Sequence, residues 1–290
     1  MNKLKIVLCT TLALLAFAGN SILCRLALGT GTIDAASFTT IRLLSGIVVL
    51  AAILQITKAG NEQISKGSWR ASFMLFLYAA TFSFAYISLD TGTGALILFG
   101  SVQITMILAS LISGNKLHYS EWIGMLTAFC GFVYLIMPGL ATPSLMGFIL
   151  MTVAGIAWGI YTLAGRGSKN PLSDTAHNFL RTLPFVAILV AATFQYANLS
   201  REGILLAVLS GGIASGLGYA VWYIALGGLL VTQAAVVQLI VPVIAAVGGV
   251  LFANEVISLR LLLSSIMILG GILTVILGKH YFSQWTLNRT

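Results

Sequence analysis

The chain has 290 residues, 59% of them hydrophobic and only 8% charged, with a formal net charge of +8. A soluble surface needs roughly a quarter of its residues charged, so fifteen Lys and Arg with seven Asp and Glu exclude an ordinary soluble globule and make lipid the solvent. The bases stand singly between apolar runs with no cluster or stripe, which points away from nucleic acid and towards the positive-inside bias of membrane proteins.

The N-terminus carries Lys3 and Lys5, an apolar run, then Ala16-Phe17-Ala18, which has the form of a cleavable signal peptide. Apolar sequence continues past Ala18 to Leu28, however, and that length spans a bilayer. A hydrocarbon core of about 30 Å takes about 20 helical residues. Segments meeting this requirement fall at 4–28, 35–56, 69–89, 93–113, 121–138, 145–165, 175–197, 203–226, 231–252 and 258–278. Asp90-Thr91-Gly92 divides the third from the fourth. Pro184 and Pro242 lie inside spans and predict kinks, since proline lacks the backbone donor. Gly155 with Gly159 and Gly212 with Gly216 form GxxxG patterns, which predict close helix approach. Cys9, Cys24 and Cys130 fall within apolar runs and form no CxxC pair, so they read as small buried apolar residues.

With the N-terminus inside, Lys3, Lys5, Lys58, Lys66, Arg70, Lys116, Arg166, Lys169, Lys279 and Arg289 fall on the cytoplasmic side. Arg25, Arg201 and Arg260 fall outside, and Arg42 and Arg181 within spans. This bias predicts both termini in the cytoplasm, as in a multi-pass protein of a bacterial inner (plasma) membrane. At an offset of 139 residues Arg42 meets Arg181, Leu44 Leu183, Ala95 Ala234, Asn115 Asn254 and Gly131 Gly270. Five spans per half is an odd number, so the second copy enters the membrane from the opposite side. The expected fold is all-α: ten transmembrane helices as two inverted five-helix repeats, 4–138 and 145–278, around a central cavity.

Several patterns resemble the EamA-type transporters of the drug/metabolite transporter superfamily. Phe17-Ala18-Gly19-Asn20 and Ala157-Trp158-Gly159 supply an aromatic-rich first span in each half, and Phe38-Thr39-Thr40-Ile41-Arg42 puts an Arg near the start of the second. Pro242 stands thirteen residues before Glu255, and Gly270-Gly271 follow in the last span. In the first half Gln103 and Lys116 replace that Pro and Glu. The resemblance implies a ten-helix transporter that moves metabolites or drugs, often outward, by proton coupling or by facilitation.

Charged side chains inside a bilayer are costly and tend to be functional. Arg42 lies about 10 Å below the outer edge and Arg181 about 9 Å above the inner one. Either can snorkel to the headgroups or serve as a gate or substrate anchor. His177, one turn before Arg181, is a candidate proton relay or an interfacial residue. Asn20, Tyr78, Tyr86, Gln103, Trp158, Tyr161, Tyr219, Trp222 and Gln238 are the candidate cavity lining and substrate contacts. No carboxylate sits mid-span, since Asp34, Asp90, Glu121, Asp174, Glu202 and Glu255 lie at span ends and Glu62 in a loop.

That pattern favours a neutral or zwitterionic solute, an amino acid or similar, over the alternative of multidrug or cationic-compound export. The expected partners are this solute and membrane lipid, as a monomer or homodimer, without cofactor or metal. An intramembrane enzyme is the rival of another class. The chain has no HExxH, and Ser215 lacks the Gly two residues before it that a rhomboid-like nucleophile needs, Ile213 standing there. A channel is the third class, but no filter-forming ring is visible.

Overall fold

The computed structural model describes residues 3–57, 67–114, 119–137, 142–165, 168–229 and 231–287, the last stretch as backbone only beyond Gly278. Lys58, Glu62, Lys66, Asn115, Lys116, Pro138, Arg166, Arg289 and the side chains of Lys279 and His280 therefore lie outside the described residues.

All the regular elements described are helices. They are α1 (Lys3–Gly29), α2 (Ala35–Thr57), α3 (Trp69–Ala85), α4 (Thr91–Ile112), α5 (Tyr119–Ile136), α6 (Leu145–Ala164), α7 (Pro171–Leu180), α8 (Leu183–Thr193), α9 (Arg201–Val208), α10 (Gly218–Leu226), α11 (Val231–Gln238), α12 (Val241–Ala253) and α13 (Leu259–Leu287). The segments α7–α8, α9–α10 and α11–α12 each continue one rod. Nine of the resulting rods have the length and apolarity to cross a bilayer. The remaining rod, α3, has 17 residues, short of the roughly 20 that a span along the normal needs. The boundary here falls earlier than the sequence reading placed it, because the chain turns through 86–90 instead of 90–92.

Side-chain caps set several helix starts. Ser68, Ser144, Asn170 and Ser200 each accept the backbone N–H three residues on, and Asp34 accepts from Ala36 and Ser37, which satisfies donors left free by the first turn. Both predicted proline kinks are present. The rod is interrupted at Arg181–Thr182, just before Pro184, and at Leu239–Ile240, just before Pro242. In α4, where Gln103 replaces the proline, the helix runs unbroken. Between α9 and α10 the rod widens into a π-helix over Leu209–Leu217.

Helices alternate in direction, so connections lie at two ends. The near end is where α1 begins, and the far end carries the α1–α2, α3–α4, α5–α6, α8–α9 and α12–α13 turns. The tightest pairs are α5 with α13, α3 with α6, α4 with α6, α2 with the π segment, α4 with α12, and α1 with α12 and α10. The GxxxG glycines sit at such contacts. A Cβ on Gly155 would stand 2.5 Å from Ser101 Cβ and 2.7 Å from the Leu98 carbonyl, one on Gly159 3.0 Å from Thr105 Cβ, and one on Gly211, which lies beside the second pair, would run into the Arg42 carbonyl. Gly212 and Gly216 both face Val49 of α2. The outer surface carries exposed Leu12, Val48, Ile188, Leu251, Phe252 and Leu262, as expected where lipid is the neighbour.

Candidate functional site

A cavity of about 450 Å³ lies between α1, α4, α6, α10 and the α11–α12 rod. Its walls are Phe17, Gln103, Met106, Trp158, Tyr161, Thr162, Tyr219, Trp222, Tyr223, Ala234 and Gln238. It reaches Gly165, Ser168, Gly227 and Leu229, in the α6–α7 and α10–α11 connections, and so opens at the near end. No Asp or Glu lines it among the described residues. Such a chamber, largely apolar with a few amide and hydroxyl groups, is of the size that takes a small molecule.

An aromatic layer forms the cavity floor. Trp158 stacks on Tyr161 at 5.3 Å and leans on Tyr219 at 5.0 Å and Tyr78 at 4.8 Å. Phe17 meets Tyr219 and Trp222 edge-on at 6.0 and 5.7 Å. Beneath the layer is a second chamber of only about 20 Å³, lined by Asn20, Tyr78, Phe82, Ser215 and others, which shares Phe17, Trp158 and Tyr219 with the main cavity. Here Ser210 donates to Asn20 Oδ1 at 2.6 Å, and Asn20 Nδ2 donates to the Tyr78 hydroxyl at 3.4 Å. Arg42 Nη2 donates to that hydroxyl at 3.0 Å.

The main cavity does not reach the far end, where a separate pocket of about 310 Å³ borders Asp90 and Glu255. Arg25, in the last turns of α1, donates to Glu255 Oε1 at 3.1 Å and pairs with Asp90 at 3.2 Å. Glu255 also accepts from the backbone N–H and the hydroxyl of Thr91 at 2.9 and 3.0 Å. This lock ties α1, the α3–α4 turn and the α12–α13 turn together. Asn254, in the left-handed conformation at the end of α12, turns the chain so that Glu255 faces it. Beside the lock, Asp34 accepts from the Asn198 N–H at 2.9 Å, Asn198 Nδ2 donates to the Gly31 carbonyl, and the Ser200 N–H donates to the Thr32 carbonyl. Burial acts to raise the Asp34 pKa, but hydrogen bonds from Ser37, Asn198 and Ala36 outweigh it and hold the carboxyl below its usual range.

The candidates named from sequence separate into groups. Gln103, Trp158, Tyr161, Tyr219, Trp222 and Gln238 line the main cavity, and Asn20 and Tyr78 the small chamber. Tyr86 lines neither of these. Fully buried, it donates to the Thr91 carbonyl at 3.3 Å and packs under Gly94, so it supports the α3–α4 turn. Arg42 does not snorkel; it is 2% exposed, with its guanidinium 4.9 Å from the Phe82 ring and 5.2 Å from that of Tyr78. Arg181, the second arginine inside a span, is half-buried, lies outside both cavities and stands 5.7 Å over Trp69. His177 lies outside them too, with Nδ1 2.8 Å from the Ser173 carbonyl oxygen.

Sequence reasoning missed Phe17, Met106 and Tyr223, which differ in no way from ordinary span residues. It also missed the Arg25–Glu255 pair, whose members are 230 positions apart.

Comparison with known proteins adds four findings. Residues 145–277 match the EamA-like transporter family. An uncharacterized protein of Pseudomonas aeruginosa is 48% identical over 276 residues, 95% of this chain and 96% of that one. An uncharacterized transporter of Archaeoglobus fulgidus is 25% identical over 211 residues, 70% of this chain and 74% of that one. One crystal structure superposes with a TM-score of 0.62 at 18% identity, covering 91% of this chain and 95% of its own, and this supports the fold alone.

Proposed function

This chain belongs to the EamA-like transporter family of multi-pass membrane transporters, and from that premise we propose a secondary exporter of an amino acid or similar small solute, working by alternating access. The observation that carries the reading is the 450 Å³ cavity, open at one end and sealed at the other by the Arg25–Glu255–Asp90 lock. A transporter at rest presents its site to one side at a time, and a one-ended chamber fits that requirement. The near end is cytoplasmic if both termini are, and the solute then loads from inside the cell.

Pairing of helices supports the inverted repeat. In the 139-residue register α6 corresponds to α1, the α9–α10 rod to α3, and the α11–α12 rod to α4. The contact of α3 with α6 then repeats as α9–α10 with α1, and α4 with α6 as α12 with α1. On this reading the halves rock about the aromatic floor, and ten crossings place both termini on one side. Trp158, Tyr161, Tyr219, Trp222, Gln103 and Gln238 contact the solute. A lining without carboxylates supports a neutral or zwitterionic solute over a lipophilic cation, which would need a counter-ion there.

The test is solute counterflow into liposomes. Trp158→Ala removes the floor and Gln238→Ala an amide in the wall, and each is expected to lower saturable uptake by about tenfold or more. Uptake unchanged in both variants overturns the site.

A further inference from the structure

Arg42 has an unusual environment for a buried cation. Only two ion pairs are formed among the described residues, and both use Arg25. Arg42 has no carboxylate partner. Its described contacts are the Tyr78 hydroxyl and two ring faces, and Nη1, out of solvent, has no hydrogen-bond partner. A buried charge left without a counter-ion is expensive, and in a span the expense is compounded. Arg42 stands behind Tyr78, which lines the small chamber under the aromatic floor. Tyr78 already accepts from Arg42 and Asn20, so its own proton is the one it donates, to the neighbouring Tyr219 hydroxyl or to a ligand that takes that place. Ser215, 2% exposed, lines the same chamber, and its hydroxyl has no partner either.

We propose that this chamber is the subsite for a carboxylate on the transported solute, with Tyr78 and Ser215 donating to it and Arg42 as its counter-charge. This rests on the transporter reading and narrows it to solutes bearing a carboxylate. Three groups are poised to serve one anion: two hydroxyl donors and a guanidinium without a counter-ion. The volume, about 20 Å³, holds about one water-sized group, so one carboxylate oxygen enters it while the rest of the group stays at the aromatic wall, and a tetrahedral phosphate or sulfonate, with more oxygens to place, suits it less. Trp158, Tyr219 and Phe17 are the wall between this chamber and the main cavity. The solute's body rests among those rings while its carboxylate passes below them when they turn aside.

Thermal stabilisation of the purified full chain in lipid nanodiscs tests the assignment. The probes are amino acids and simple monocarboxylates, each beside its amide, its amine and its sulfonate on the same carbon skeleton. Acids are expected to stabilise the protein, and their amides, amines and sulfonates to do so at least tenfold more weakly by concentration. Ser215→Ala removes a hydroxyl without a partner, so the ligand-free melting temperature stays unchanged while acid affinity falls by about three- to tenfold. Tyr78→Phe lowers acid affinity similarly, and Arg42→Gln by about 10- to 100-fold. Amides or amines that stabilise as well as acids overturn the proposal. So do Ser215→Ala and Tyr78→Phe proteins that bind acids like the parent, or a panel in which no acid binds. Liposome uptake separates the two readings: saturable transport of an uncharged solute, abolished by Trp158→Ala, retains the transporter and removes the carboxylate subsite, whereas no saturable transport of any solute removes the transporter.

Discussion

Arg42 and Arg181, 139 residues apart, would occupy equivalent places in the proposed repeat yet live in different surroundings. Arg42 is enclosed, because Gly211 of the π segment lets that helix approach its backbone and Phe82 and Tyr78 cover its guanidinium. Arg181 caps the broken helix α7, where it lies over Trp69 at the surface. That each arginine falls within a helical rod was legible in the sequence, but which neighbours surround each side chain was not, since that depends on helices far away in the chain. Arg25 makes the same point. It reads as one more outer-side base, and only the fold brings Glu255 and Asp90 to it. Glu255→Gln keeps the shape of the side chain and weakens hydrogen bonds to a charged group, at a cost of about 2 kcal/mol. That moves the balance of far-end-closed to far-end-open protein by roughly 30-fold. Labelling of a single cysteine placed in the α12–α13 turn is expected to accelerate accordingly, and an unchanged rate removes the lock from the gating scheme.

Helices were the most legible level. Lipid demands long apolar runs, so composition alone located the rods, and the prolines located the breaks in two of them. The π segment was less legible, although Gly211, Gly212 and Gly216 crowd a stretch where ordinary side chains would separate α2 from its neighbour. Wide helical turns of this kind occur chiefly at functional sites, and this one carries Ser210 and Ser215 to the small chamber. The contact of α6 with α4 depends on close approach at Gly155. Gly155→Leu forces the pair apart and should destabilise the protein by about 1–3 kcal/mol, read as a lower melting temperature in detergent with uptake reduced in proportion to folded protein. A variant as stable as the parent shows that this contact tolerates bulk.

At the scale of the whole molecule, the far end is tied at two places, the Arg25–Glu255–Asp90 lock and the Asp34–Asn198 clasp. The Asp34 carboxyl lies below its ordinary range in the folded chain because Ser37, Asn198 and Ala36 donate to it. Its contribution to stability is therefore complete above the unfolded value near 4 and is lost as pH falls through the lower folded value. Acid unfolding midpoints should move to higher pH on Asp34→Asn, because a group that strengthens the native state in this window has been removed; an unmoved midpoint shows that the clasp of α1–α2 to α8–α9 carries little. The cavity itself was partly legible, through polar and aromatic residues that lipid-facing positions would not favour. Its apolar members and its closed end were not.

The lock also has no counterpart in the other half. The positions 139 residues from Glu255, Arg25 and Asp90 are Lys116, Ala164 and Leu229, which cannot rebuild an acid–base latch at the opposite mouth. On the proposed inverted repeat the halves are thus tied by different bonds at the two ends, ion pairs at the far end and the Gly67 and Ser68 N–H groups donating to Asp174 and Asn178 at the near end, and the energy of the two resting poses differs by the difference between those ties. A carrier biased in this way rectifies: in vesicles of mixed orientation it would show two half-saturation concentrations for the same solute, one for each face.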